Sequence, residues 1–247
     1  MDEARLPIDE RTRVLVLTGA GISAESGLAT FRGAGGLWDG HPVEQVASPG
    51  GFAADPELVW RFYSMRRAAA AAAEPNAAHG ALVALEERLG ERFLLVTQNV
   101  DGLHARAGSR RLVEVHGTLW RTRCSSCLRP PFADDAYPIE PPLPRCACGA
   151  LLRPDIVWFG EMLGAAETGW IDAFMRDARR SGDPFVFLAV GTSGNVYPAA
   201  GYVAVARSHG AVTWLANLDP AENVGAFDHF VAGPAASTLP RLLGVGE

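Results

Sequence analysis

The chain reads as an α/β protein built on a doubly wound parallel sheet, with smaller inserted segments. Two observations carry this. Short β-branched apolar runs end in small or polar residues, as in "VLVLTGAG" (14–21) and "FVFLAVGTS" (185–193), and amphipathic helical stretches separate them. A third observation points to the insertions: all four cysteines, Cys124, Cys127, Cys146 and Cys148, fall within one Pro-rich window that interrupts the alternation.

Taken in order, residues 14–21 predict a buried parallel strand followed by a glycine turn. "DPELVWRFYSMRRAAAAAAE" (55–74) predicts a helix with Asp55 as N-cap and Pro56 in the first turn. Its alanine run is helix rather than linker, because alanine has the best helix propensity. "NAAHGALVALEERLG" (76–90) has helical apolar spacing and a glycine stop, and "RFLLVTQN" (92–99) predicts the next strand. "LVEVHG" (112–117), "DIVWFG" (155–160) and "DHFVAG" (228–233) read as shorter strands. A helix over 165–182, the strand 185–193, a helix over 197–210 and the strand 211–217 complete the alternation. The organisation expected is a Rossmann-like domain from 1–38, 76–118 and 154–247, interrupted twice. The interruptions are a helical insertion at 39–75 and a module at 119–153, held by metal rather than by a core.

Composition limits the function. The 247 residues are 48% hydrophobic and 20% charged, enough for a substantial core. A formal net charge of −6 argues against a general electrostatic grip on nucleic acid, so no nucleic-acid partner is expected. No apolar run approaches a membrane span, and "MDEARLPIDERTR" has no signal-peptide pattern, so a cytoplasmic protein without a membrane partner is expected. Oligomeric state is not legible.

Several short motifs carry chemistry. Gly19 and Gly21 let backbone approach a pyrophosphate, although Gly27 comes too late for the usual G-x-G-x-x-G spacing. Asn99 and Asp101 in "TQNVDGLH" suit either a polar ligand or a helix cap. His116, at a strand end, suits either a general base or a hydrogen-bonded structural role. Four cysteines spaced C-x2-C, eighteen residues, C-x-C match a closed tetrahedral zinc shell with no open catalytic position. Tyr63 and Arg66 share a helical face, where two donors suit a carboxylate, while a half-apolar Tyr beside a surface Arg is the plainer reading.

In combination these motifs are specific. "GAGISAESGLATFRG", "TQNVDGLH", "VEVHG", "GTS" and "NLDP" occur in the order seen in the sirtuins, NAD-dependent protein-lysine deacylases, and the resemblance runs from about Val14 to Leu239. Ala29 stands where that family commonly has proline. The resemblance implies NAD as a consumed co-substrate and a structural zinc on the four cysteines. It implies a cofactor site of Gly19, Ala20, Gly21, Thr30, Phe31, Arg32 and Trp38, with Gln98, Asn99, Val100 and Asp101 at the ribose and nicotinamide. Gly191, Thr192 and Ser193 would meet phosphate and ribose, and Asn217, Leu218, Asp219 and Ala235 the adenosine end. Val157, Trp158, Phe159 and Glu161 would take the acyl-lysine of a protein or peptide. His116 would be the base that deprotonates a ribose hydroxyl after the acyl oxygen has displaced nicotinamide, yielding free lysine and O-acyl-ADP-ribose. "FYSMRR" resembles the Tyr-x-x-Arg pair of class III sirtuins, which implies removal of succinyl and malonyl groups, and acetyl more weakly, with Arg67 facing elsewhere.

Overall fold

The computed structural model describes residues 5–30, 37–38 and 40–245. Phe31 and Arg32 lie outside the described residues. Trp38 belongs to a two-residue strand whose side chains also lie outside them.

In chain order the strands are β1 (Arg13–Thr18), β2 (Leu37–Trp38), β3 (His41–Pro42), β4 (Phe93–Thr97), β5 (Leu112–Glu114), β6 (Gly117–Cys124), β7 (Phe132–Ala133), β8 (Leu152–Ile156), β9 (Phe185–Val190), β10 (Val212–Asn217) and β11 (His229–Ala232). The helices are α1 (Val43–Val46), α2 (Pro49–Ala54), α3 (Pro56–Ala72), α4 (Ala77–Leu89), α5 (Leu103–Ala107), α6 (Ala165–Ser181), α7 (Tyr202–Ser208) and α8 (Ala235–Leu243).

Six strands form one parallel sheet in the order β11–β10–β9–β1–β4–β5. The chain winds outward from β1 through β4 and β5, then returns to the other side of β1 as β9. The sheet therefore changes direction between β1 and β9, where an open α/β sheet leaves a crevice at its carboxyl end. Side chains on β1 alternate between two cores, as the period of two demands. Val14 and Val16 pack with Leu82 and Leu85 of α4 and Leu239 of α8, whereas Leu15 and Leu17 pack with Phe174 and Met175 of α6. Burial on both faces explains why these strands read as continuous apolar runs.

Asp55 caps α3 as its sequence implies, its carboxylate accepting from the Leu58 amide at 2.8 Å with Pro56 in the first turn. Three differences from the sequence reading concern the inserted segments and the C-terminus. The run 155–160 is not a strand of the main sheet. β8 ends at Ile156 and pairs antiparallel with β6, and 157–160 continue as non-strand chain. The module around the cysteines is also not held by metal alone. Leu119, Cys124 and Leu152 share an apolar cluster with Val59, Trp60 and Phe62 of α3. The polar letters of "GTLWRTRC" conceal β6: Leu119, Trp120 and Cys124 reach that cluster, and a register shift between Gly117 and Thr122 breaks the strict alternation. Finally, α8 was not anticipated; its helical pattern is short and contains Pro240. No helix among the described residues is long and apolar enough to cross a membrane.

Candidate active site

The carboxyl ends of β1 and β9 meet through glycine backbone. A Cβ on Gly21 would lie 2.6 Å from the Gly191 Cα, and one on Gly19 would lie 2.7 Å from the Gly191 oxygen. Gly191 itself has φ +62°, which favours glycine. The two turns thus touch without side chains and form the floor of a cavity of ≈ 760 Å³. Gly19, Ala20, Gly21 and Thr30 line it from the first turn and Gly191, Thr192 and Ser193 from the second. Asn217 at the end of β10, Leu218 and Asp219 after it, and Ala235 at the start of α8 line it as well. This end is braced by its own amides: Asn217 Nδ2 donates to the Thr192 oxygen at 3.0 Å, and Gln98 Nε2 donates to Thr192 Oγ1 at 3.1 Å.

A polar cluster occupies the ends of β1 and β4. Asp101 Oδ2 accepts from Ser23 Oγ at 2.8 Å, and its Oδ1 accepts from the Leu103 amide at 2.9 Å. Asn99 Nδ2 donates to the Gly19 oxygen and to Ser23 Oγ, each at 3.2 Å. Asp101 thus takes the first amide of α5, just ahead of the N-cap Gly102, and also lines the cavity wall. Ser23 and Glu25 also line the cavity, and the sequence reading passed over both. Glu25 Oε2 accepts the Ala236 amide at 2.6 Å at the start of α8, a contact between residues far apart in the chain.

His116 lines the same cavity, with Nδ1 3.0 Å from the main-chain oxygen of Gln98. A carbonyl oxygen only accepts, so Nδ1 carries the proton and Nε2 is the basic nitrogen. Burial pushes the imidazole pKa below its ordinary value, although the bond to Gln98 acts the other way. His104 and His79 lie elsewhere, their rings tilted to one another with centroids 4.8 Å apart beneath the sheet end, with His104 Nε2 2.9 Å from Thr18 Oγ1.

The far end of the cavity is aromatic and cationic. Tyr63 is fully buried and Arg66 half-buried, and both line the wall with Val157, Trp158, Phe159 and Glu161. Arg67 turns away. Its Nε donates to the Leu119 oxygen and its Nη1 to the Ala136 oxygen, both at 2.7 Å. Phe159 is 49% exposed at the mouth, while its amide donates to the Ala47 oxygen at 3.0 Å. Glu161 is already engaged: it accepts from both terminal nitrogens of Arg153, at 2.6 and 2.9 Å, and from the Trp158 amide at 2.8 Å. Burial would raise its pKa, but these bonds and the Arg153 charge outweigh that and hold it below the ordinary carboxylate value.

The four cysteine sulfurs lie within 4.8 Å of one another, with Cys124–Cys148 at 3.6 Å and Cys127–Cys146 at 3.7 Å. Tetrahedral zinc with bonds of about 2.3 Å needs sulfurs about 3.8 Å apart. Amides of Ser126 and Cys127 also donate to Cys124 Sγ, at 3.4 and 3.3 Å, which suits a thiolate. The set fits a structural zinc.

Fold and site together define a dinucleotide-type α/β protein with a cysteine-clasped module beside its ligand crevice. The Sir2 family model matches residues 19–198. A protein of Salmonella typhimurium named NAD-dependent protein deacylase is 48% identical over 240 residues, covering 95% of this chain and 84% of that one. A solved Sir2 homologue in complex with ADP-ribose is 41% identical with a TM-score of 0.83, covering 93% of this chain and 89% of the other. A Sir2 homologue in complex with NAD is 40% identical with a TM-score of 0.81, covering 93% and 87% respectively. The chain belongs to the Sir2 family.

Proposed function

We propose that this chain is an NAD-dependent protein-lysine deacylase that prefers acyl groups ending in a carboxylate, succinyl and malonyl over acetyl. Family membership and the deacylase names of its relatives support the first part. One observation carries the second: Tyr63 and Arg66, three apart on α3, line the same cavity as His116. Arg66 supplies a planar, permanently charged fork and Tyr63 a neutral hydroxyl. A charge-assisted bond in such a channel contributes about 1.5–3 kcal/mol, roughly tenfold or more in preference.

NAD, when bound, supplies an electrophilic ribose carbon to the acyl oxygen and is consumed. The glycine turns at 19–21 and 191 leave backbone room for its pyrophosphate, with Thr30, Thr192 and Ser193 beside it. Asn217, Leu218, Asp219 and Ala235 take the adenosine end. Gln98, Asn99, Val100 and Asp101 form the polar pocket for nicotinamide and its ribose. His116 Nε2 removes the proton from a ribose hydroxyl, and Gln98 holds the ring through the opposite nitrogen. Val157 and Phe159 wall the acyl-lysine channel. The zinc keeps the module around β6–β8 in register, and that module with 39–75 forms a small domain facing the Rossmann-like one. The protein acts in the cytoplasm on acylated lysines of proteins or peptides, not on nucleic acid or membrane.

The test is a panel of succinyl-, malonyl- and acetyl-lysine peptides with NAD. Wild type is compared with Tyr63→Phe plus Arg66→Met. The double variant is expected to lose succinyl preference roughly tenfold or more. Full retention of that preference would remove the carboxylate assignment. Nicotinamide release without any acyl-peptide would instead indicate ADP-ribosyl transfer.

A further inference from the structure

The Tyr63 hydroxyl has a neighbour that fixes its polarity. Trp158 Nε1 lies 2.9 Å from the Tyr63 oxygen, inside a fully buried aromatic group. An indole N–H can only donate, so at this contact the phenol oxygen accepts. The phenol's own proton must then leave in another direction, as a donor.

The indole is itself clamped. The Arg153 guanidinium carbon lies 3.3 Å from the centroid of the Trp158 ring. Arg153 is 5% exposed, donates to the Ile156 oxygen at 2.7 Å, and is gripped by both oxygens of Glu161. Glu161 also takes the Trp158 amide. One carboxylate therefore fixes the main chain of Trp158 and the cation that covers its ring. Glu161 thereby supports the wall.

We propose that Trp158 is a positioning residue for acyl selectivity: its indole N–H, held by the Arg153–Glu161 clamp, keeps Tyr63 as a hydrogen-bond donor toward the acyl terminus. This rests on the reading of Tyr63 and Arg66 as a carboxylate site. Toward an entering acyl terminus, a phenol held as donor and a guanidinium that can only donate both offer protons. Such a pocket accepts a carboxylate and disfavours the isosteric carboxamide, whose NH2 would face other donors.

The experiment is a double-mutant cycle read as the succinyl-to-acetyl ratio of kcat/KM. Wild type, Trp158→Phe, Tyr63→Phe and the double variant are compared on peptides of one sequence. Trp158→Phe keeps an aromatic ring and removes the N–H. It is expected to lower the ratio about fivefold, the size of one ordinary hydrogen bond. In the Tyr63→Phe background the same change is expected to leave the ratio where Tyr63→Phe put it. A purely packing role would lower kcat/KM for both acyl groups alike, and that result overturns the proposal. So does a fall in the ratio that persists without the Tyr63 hydroxyl. If Tyr63→Phe itself leaves the ratio unchanged, the carboxylate reading fails instead, and the two failures are distinguishable. Should Trp158→Phe not fold, β-(3-benzothienyl)alanine at position 158 replaces the N–H by sulfur at nearly constant shape, and the same outcomes decide.

Discussion

His116 donates through Nδ1 to the main-chain oxygen of Gln98 at 3.0 Å. That bond ties the imidazole at the β5–β6 turn to the end of β4 and leaves Nε2 unprotonated in the neutral ring. His116→Ala is expected to lower kcat by about 10²–10⁴, the usual contribution of a positioned base, with little change in melting temperature. The pH profile follows from the same geometry. Burial, opposed by the Gln98 bond, lowers the His116 pKa from 6.5. A base works when deprotonated, so kcat is expected to hold through neutrality and fall on the acid side, with a midpoint below 6.5. Steady-state rates from pH 5 upward check this, and a midpoint above that value would contradict it.

The glycine crossing gives a second prediction. A methyl group on Gly21 would sit 2.6 Å from the Gly191 Cα, a main-chain atom with nowhere to swing. Gly21→Ala must therefore push the two turns apart. NAD affinity is expected to drop at least about tenfold, the scale of a misplaced phosphate cradle. Titration of NAD by calorimetry measures it. Gly27→Ala serves as comparison: its Cβ would meet nothing within 4 Å, but φ +88° strains it, so it is expected to cost stability with less loss of affinity.

Much of this site was legible before any coordinates, for a local reason. Val14–Leu17, Phe93–Val96 and Phe185–Val190 are buried on both faces, so their apolar runs betray the sheet, and ligands gather where such strands end. Tyr63 and Arg66 were readable as neighbours from helical spacing alone. What stayed hidden depends on pairing across long stretches of chain. The Ser23–Asp101 bond joins residues 78 positions apart, and Arg67 meets Leu119 across 52. The pairing of β6 with β8 was obscured by a half-polar strand beside an antiparallel partner. The grip of Arg153 on Glu161 was hidden too, because nothing in "WFGEM" announces it.

Acid is expected to find a weak point beneath the sheet end. Burial and the neighbouring His79 depress the His104 pKa to about 3. The imidazole stays neutral in the fold while the unfolded chain takes a proton below about 6.5. Unfolded protein then binds more protons, so stability is greatest above that value and falls as the pH drops toward 3. The slope is about 1.4 kcal/mol per pH unit for one such group. His79, also depressed chiefly by burial, acts in the same direction. Urea midpoints between pH 7 and pH 4 for wild type and His104→Gln test this. The variant is expected to start lower and lose less on acidification.

Metal removal addresses the module itself. Four sulfurs spaced 3.6–3.7 Å across their close pairs repel as thiolates once the cation leaves. Dialysis against a strong chelator is expected to release zinc, lower the melting temperature and raise amide exchange in β6–β8 before that in β1 or β9. Equal exchange across both sheets would show that the cluster does not act locally.

Arg67 offers the sharpest stability test, because its neighbours gain nothing else when it is gone. The side chain is fully buried and donates from all three guanidinium nitrogens: to the Leu119 oxygen, the Ala136 oxygen, Asp134 Oδ2 at 3.3 Å and Thr122 Oγ1 at 3.2 Å. It thereby fastens α3, the helix that carries Tyr63 and Arg66, to β6 and to the loop beyond β7. Arg67→Met fills much of the volume but takes this donor from the Leu119 and Ala136 oxygens and removes the cation beside Asp134, which keeps the Thr122 hydroxyl and the Ala136 amide. Each hydrogen bond lost from a charged donor costs about 1.5–3 kcal/mol, so the total lies far above the typical surface substitution. Arg67→Lys is expected to recover only part of this, since a single ammonium cannot reach partners arranged for a planar fork. Arg61→Met is the control, lying on the same helix with its side chain 60% exposed and its Nη1 4.0 Å from Glu57. It is expected to change stability by less than about 0.5 kcal/mol. Urea unfolding of the three variants under zinc-replete conditions decides it, and comparable losses for Arg61→Met and Arg67→Met would deny Arg67 its anchoring role.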